Sequence, residues 1–322
     1  MKLKDLYKAI IEIGIQNDPR GKNGVEKALK QVKDSYTKLA PLEKNYFDTE
    51  KLTNPYSDSR IYHGTGNEEI KTIMVGVDME TPELLVADRL RERGEKIDAV
   101  MTHHPEGTAL LSLAEVMSMQ ADIMHSFGVP INIADGVLSN RIREVSEGVL
   151  PVNYYRAVRA AEMLKIPYFG AHTPADNCVV TYLQKIFDKN KPETVGNVFD
   201  ILMNIEEYKI SLKHNNGPRI VSGSKIKRAG KVYVDMTGGT GGSIDMLDRL
   251  ANSGVGTMIC MHMSKDHLER AKKCLLNVVI AGHMASDSLG LNLLLDSAQK
   301  KIGKLKIIEF SGFTRVERFN KK

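Results

Sequence analysis

Two adjacent histidines, His103 and His104, close the short apolar run "IDAVMT" and are followed at once by Pro105. Consecutive strand residues point to opposite faces, so the two imidazoles share one polar spot only if the chain bends there, as Pro105 makes it do. Two further apolar runs end in His-x-x-x-Asp: "IPYFGAHTPAD" supplies His172 and Asp176, and "NVVIAGHMASD" supplies His283 and Asp287. Imidazoles with carboxylates and no thiolate suit Zn, Mn, Fe or Ni better than Ca or Mg. Five or six such ligands exceed what one tetrahedral ion needs, so the pattern points to two divalent ions roughly 3.5–4 Å apart. Each motif alone fits a hydrogen-bonded core as well as a metal. Three of them at equivalent strand ends favour the metal.

The elements that must position these residues alternate strand and helix. "KTIMVGVDM" reads as a buried strand, "TPELLVADRLRERG" as a helix opened by Thr81 and Pro82 and stopped by Gly94, and "IDAVMT" as the next strand. The order returns later as "KVYVDM", "GGSIDMLDRLANSG" and "VGTMICMHMS", with Asp78 answered by Asp235 and His103–His104 by His262. The chain therefore reads as an α/β protein of two similar α/β halves with mixed sheets, each bringing His and Asp to the carboxyl ends of its strands. We divide it into an N-terminal helical extension (1–56), a first half (57–178) with a helical insert (111–164), a basic connecting segment (179–230) and a second half (231–322). The insert accounts for the longer spacing between motifs in the first half and can cap the site. Val25, Leu29, Val32, Tyr36 and Leu39 recur at helical steps, a narrow apolar stripe that packs on the body or on another subunit.

Composition excludes several classes. With 42% hydrophobic and 26% charged residues, the 322-residue chain is globular, and no apolar run reaches the ~18 residues that span a membrane. "MKLKDLYKAIIEIG" breaks its apolar residues with charge, unlike a signal peptide. Cys178, Cys260 and Cys274 are odd in number and lack CxxC spacing, which argues for a reducing cytoplasm. Residues 57–178 carry 11 basic and 18 acidic residues, whereas Lys209–Lys231 holds seven basic residues and no acid, and Lys300–Lys322 eight basic and two acidic. An acidic middle beside basic segments fits a cation site with surface left for phosphate; no aromatic-basic motif marks nucleic acid.

"TGGTGGS", Thr237–Ser243, matches neither GxxxxGK[ST] nor GxGxxG. The amides of Gly239, Gly241, Gly242 and Ser243 can hold an anion, or the glycines can simply serve a tight turn. Glu106 and Asp78 stand at strand ends as a general base or as a carboxylate orienting a ligating histidine. His262 is a proton shuttle or a neighbour of a ligand. His267 reads as a solvated helix residue, and Cys178 as a small buried hydrophobe.

Taken together, "VMTHHP", "AHTPAD", "GGTGGS" and "AGHMASD" resemble the NGG-interacting-factor-three-like family, the dinuclear metal centre proteins also called homologues of type-two GTP cyclohydrolase I. The resemblance covers about Ile70–Phe319. It implies His103, His104, Asp176, His283 and Asp287 as ligands of a two-metal site, with His172 touching a ligand rather than an ion. It further implies a ring-shaped homo-oligomer, commonly a hexamer. This chain departs from the family pattern in having Asp287 where Glu is usual, a longer insert and a lysine-rich N-terminal helix.

These readings converge on a metal-dependent hydrolase acting on a nucleotide or other phosphorylated small molecule, with Glu106 and His262 as catalytic candidates. The alternative is a non-catalytic, ring-forming metal-binding scaffold that works through protein partners. A metal-free structural role for the same His and Asp would leave costly buried carboxylates.

Overall fold

The computed structural model describes residues 1–318. Phe319–Lys322, the end of the second half and of the basic C-terminal stretch, lie outside the described residues. Each apolar run identified above forms a strand. The first sheet contains β1 (Ile61–His63), β2 (Thr72–Gly76), β3 (Ala99–Thr102) and β4 (Tyr168–Gly170). The second contains β5 (Arg219–Ser222), β6 (Lys231–Asp235), β7 (Val255–Cys260) and β8 (Asn277–Ile280).

The two sheets share one topology. Their orders are β1-β4-β3-β2 and β5-β8-β7-β6, parallel throughout except for the antiparallel edge strands β1 and β5. Register keeps the carboxyl ends level: Gly76 pairs with Thr102 and Thr102 with Gly170, as Asp235 pairs with Cys260 and Cys260 with Ile280. Residues just after these ends therefore lie side by side, which places Asp78, His103, His104 and His172 on one rim and His262 and His283 on the other.

Three features depart from the simple division into halves. β5 lies inside the stretch read as a basic connector, so the second sheet begins before residue 231. β9 (Lys306–Glu309) crosses back to pair in parallel with β2, so the last strand completes the first sheet. The insert is helical throughout its ordered elements, but Met119, Met124, Ala134 and Leu138 pack on Tyr233, Met258 and Val278 of the second sheet. Only its final helix, Arg156–Leu164, stays on the first sheet, through Ala157 and Ala161.

Two long helices, Thr173–Asn190 and His283–Ile302, lie between the sheets. Both are buried on several faces, as helices with no fully polar side must be. One cluster joins Ala175, Cys178, Leu291 and Leu294 to the first sheet and to the N-terminal helix Leu3–Gln16, whose Leu6 and Ile10 are wholly buried. The other joins Val179, Leu183, Ala285 and Leu289 to the second sheet. The lysine-rich helix Gly21–Lys38 buries only Val25. The segment after β9 straps over the His283 helix, where Arg318 pairs with the buried Glu207 at 2.5 Å and Asn292 Nδ2 donates to Thr314 O at 3.0 Å.

Close approach of the two central helices depends on Gly290. A Cβ there would stand 2.6 Å from Ala175 O, which is backbone and cannot swing aside. Gly290→Ala is expected to lower stability by about 1–3 kcal/mol through overpacking. Urea unfolding measures this, and an unchanged midpoint would contradict it.

Candidate metal centre

Six strand ends open onto one cavity of about 370 Å³. Its walls include Asp78, His103, His104, Glu106, His172 and Asp176 from the first half, and Asp235, Thr237, Gly239, Gly241, His262, His283 and Asp287 from the second. The turn after β3 is set by backbone: the His103 and His104 amides both donate to Val77 O, at 3.2 and 2.9 Å. The two rings converge, 5.3 Å apart, and His103 also lies 4.8 Å from the His172 ring.

Asp287 stands at the centre with no side-chain exposure. Its Oδ1 lies 3.6 Å from His103 Nε2; its Oδ2 lies 3.4 Å from His283 Nε2 and 3.8 Å from His104 Nε2. Asp176 Oδ1 lies 3.4 Å from His103 Nε2, and Asp176 Oδ2 3.8 Å from His172 Nε2. These gaps are too wide for good hydrogen bonds. They suit ligands of a shared ion, because bonds of about 2.0–2.1 Å at tetrahedral angles separate donor atoms by roughly 3.4 Å. Both Asp287 oxygens and Asp176 Oδ1 are buried without a hydrogen-bond partner, a costly state unless a cation faces them. Three sets of donor atoms gather within 4.8 Å: His103, His104 and His172; His104, His283 and Asp287; His103, Asp176 and Asp287. The buried donor set fits a metal ion.

The outer nitrogens are held from behind. His104 Nδ1 meets Asp78 Oδ1 at 2.6 Å, His172 Nδ1 meets Asp58 Oδ2 at 2.8 Å, and His103 Nδ1 meets Ala171 O at 3.2 Å. Each contact turns Nε2 inward, as partners behind metal-ligating histidines do. Asp78 stands behind His104, and His172, which the resemblance places beside a ligand, directs its Nε2 toward the same cluster of donor atoms. Asp58 was missed, since an aspartate in the turn "YSDSR" carries no signal of its own; its Oδ2 also accepts from Thr173 Oγ1 at 2.6 Å.

Burial dominates the electrostatics. It holds His103 well below its ordinary value, helped by His172 and His104, and takes His283 down to about 4. It pushes Asp176 well up and Asp287 to about 7. Glu106 rises to about 7 through burial and the nearby Glu80, and Asp235 to about 6 through burial. Glu106 and His262 line the cavity but belong to none of the three donor sets.

Gly239 and Gly241 line the cavity; Gly242 and Ser243 lie just beyond it. Gly238 and Gly239 have φ of +87° and +84°, so the turn does need glycine there. Thr237 Oγ1 donates to Asn177 Oδ1 at 2.7 Å. Asn177 Nδ2 in turn reaches Tyr56 at 3.1 Å and Gly14 O at 3.3 Å, which ties the turn to the N-terminal extension. His267 is not simply solvated: its Nε2 donates to Gly242 O at 3.1 Å. The basic segment Lys209–Lys231 does not reach the site, and no Lys or Arg lines the cavity among the described residues. Its β5 and β6 residues lie along the second sheet instead.

No family model and no curated protein matches this sequence. Among solved structures, a NIF3 superfamily protein from Sphaerobacter thermophilus is 25% identical and superposes with a TM-score of 0.69 over 80% of this chain and 91% of that one. The chain belongs to the NIF3 superfamily. More distant likenesses are HcgD from Methanocaldococcus jannaschii (17% identity, 76% and 85% coverage, TM-score 0.45) and a NIF3-related protein from Bacillus cereus (11%, 78% and 89%, 0.43). In this NIF3-superfamily chain, no described helix is long and apolar enough to cross a membrane.

Proposed function

We propose that this NIF3-superfamily protein binds two divalent ions, of Zn, Mn, Fe or Ni type, and is a metal-dependent hydrolase of a small phosphorylated substrate, with a nucleotide as the favoured class. Asp287 carries the proposal: one buried carboxylate whose two unpartnered oxygens face different histidines. His103, His172, Asp176 and Asp287 Oδ1 would hold one ion, and His104, His283 and Asp287 Oδ2 the other. Bound there, the pair would supply a water of lowered pKa and polarise the bond under attack. Asp58, Asp78 and Ala171 O keep the ring nitrogens aimed. Glu106, on the cavity wall outside the donor sets, carries protons to and from the substrate, and His262, 4.8 Å from the His283 ring, assists. The GTP cyclohydrolase label stays a family name, since it would require attack at a purine ring carbon.

A homo-oligomeric ring, hexameric in the family pattern, belongs to the same proposal. Leu85 and Met163, 54% and 84% exposed on helices that pack together, offer apolar surface for it. Three free cysteines support a cytoplasmic setting.

The test is turnover of a nucleotide and phosphomonoester panel by metal-loaded protein, with Glu106→Gln alongside. Loss of about 100-fold or more in kcat at unchanged metal content is expected for a proton-transfer residue. No turnover of any panel member, or turnover that survives chelation, would reject the hydrolase.

A further inference from the structure

We infer that the turn Thr237–Ser243 is an oxyanion subsite that takes one phosphoryl group on backbone N–H donors, and that Gln120 is the positioning residue that holds it in shape. The inference deepens the hydrolase reading by naming how the substrate's anionic end is held. Four carbonyls of the turn are tied to side chains standing outside the cavity lining. Gln120 Nε2 donates to Gly238 O and Thr240 O, both at 2.7 Å; Arg141 Nε donates to Gly241 O at 3.1 Å; His267 Nε2 donates to Gly242 O at 3.1 Å. Gln120 is 2% exposed, so this clamp is part of the core.

A trans peptide is planar, with its N–H on the edge opposite its C=O. No peptide among the described residues is cis. Pulling the carbonyls of 238, 240, 241 and 242 toward the clamp therefore turns the amides of Gly239, Gly241, Gly242 and Ser243 the other way. None of these four amides has an acceptor among the described residues. Only Thr240 N is engaged within the turn, to Gly238 O at 3.2 Å. Successive amides facing one way form an anion-binding concavity. Gly239, Thr240 and Gly241 line the same cavity as Asp176 and Asp287, whose orphaned oxygens call independently for a cation there.

The lining also limits the ligand. Among the described residues no Lys or Arg lines the wall, so no permanently cationic side chain competes with these amides and the ions for an anion. Asp78, Glu80, Glu106 and Asp235 would repel a long polyphosphate, whereas a single tetrahedral phosphoryl group needs three or four donors and little more.

Gly241 is the clean probe. A Cβ there meets nothing within 4 Å, so Gly241→Ala keeps the fold and sets a methyl beside the free amides. Inorganic phosphate is titrated calorimetrically into wild type, Gly241→Ala and Gln120→Leu, each metal-loaded and metal-free, with metal content assayed separately. Phosphate affinity is expected to fall about tenfold or more in both variants, the loss of a hydrogen bond to a charged group, while metal content stays at the wild-type level. Unchanged phosphate affinity in metal-loaded Gly241→Ala would mean that phosphate sits on the metals alone and would overturn the subsite. Acetate binding as tightly as phosphate would overturn the phosphoryl assignment. Should wild type hold no metal, the two-metal reading fails, and the metal-free comparison of wild type with Gly241→Ala alone decides the subsite.

Discussion

Asp287→Asn is expected to lose at least about half of the bound metal while its metal-free fold melts no lower than metal-free wild type. A single neutral amide oxygen replaces two anionic donors that face opposite sets of histidines. Each ion would lose a charged ligand, and the pair would lose the carboxylate between them. The metal-free fold responds in the other direction. There Asp287 is a buried carboxylate without a partner, and asparagine of nearly the same size removes that charge from the core. Elemental analysis of untagged protein, paired with melting of chelated samples, reads both halves. Full metal content in the variant would remove Asp287 from the centre. A variant that fails to fold even without metal would show that the carboxylate has a structural partner instead.

Removing metal from wild type is expected to lower Tm strongly, and by more as pH rises past about 6.5. Ligand linkage alone is worth about 4 kcal/mol at a free ion concentration 1,000 times Kd. The pH dependence follows from groups that burial shifts in opposite senses. His103 is held below 6.5 and His283 falls to about 4, so between those values the unfolded chain binds more protons and stability rises with pH. Asp287, raised to about 7, and Asp176, raised well above its ordinary 3.8, act oppositely: the folded chain binds more protons, and stability is lost as pH climbs through the folded values. The two sets offset one another in mild acid. Above about 6.5 the unfolded histidines are neutral as well; the raised carboxylates still act, and so does His104, which, against burial, Asp78 and Asp287 hold above its ordinary value, so the chelated protein weakens toward pH 8. Metal-loaded protein should show no such decline, because the ions need those carboxylates ionised. Melting curves from pH 5 to 8 with and without chelator measure the gap. A constant gap would contradict the burial of these carboxylates opposite a cation.

Much of this could be read in the one-dimensional chain. Strands announce themselves as short apolar runs, and "VDM" at Asp78 and Asp235 marks a repeated half because like sequences bury like faces. His103, His104, His172 and His283 could be picked out because each directly follows such a run, and strand ends in parallel sheets share an edge. The glycines of "TGGTGGS" were legible because a positive φ selects for them. What sequence could not supply is which distant surface each residue meets. Asp58 is 114 residues from the His172 it holds, and Gln120 is 118 residues from Gly238. Neither belongs to a recurring pattern, since one carboxylate in a turn or one amide on a helix looks like any other. The insert's apolar residues foretold burial but not that the second sheet would bury them, and nothing local to β9 says that it pairs with β2 rather than β6. Local sequence determines period, strand ends and backbone freedom, because these depend on neighbours along the chain. Which sheet takes the last strand, and how His172 and the Asp287 oxygens are turned, were settled only by packing, because burial is satisfied by whichever surfaces the whole chain brings together.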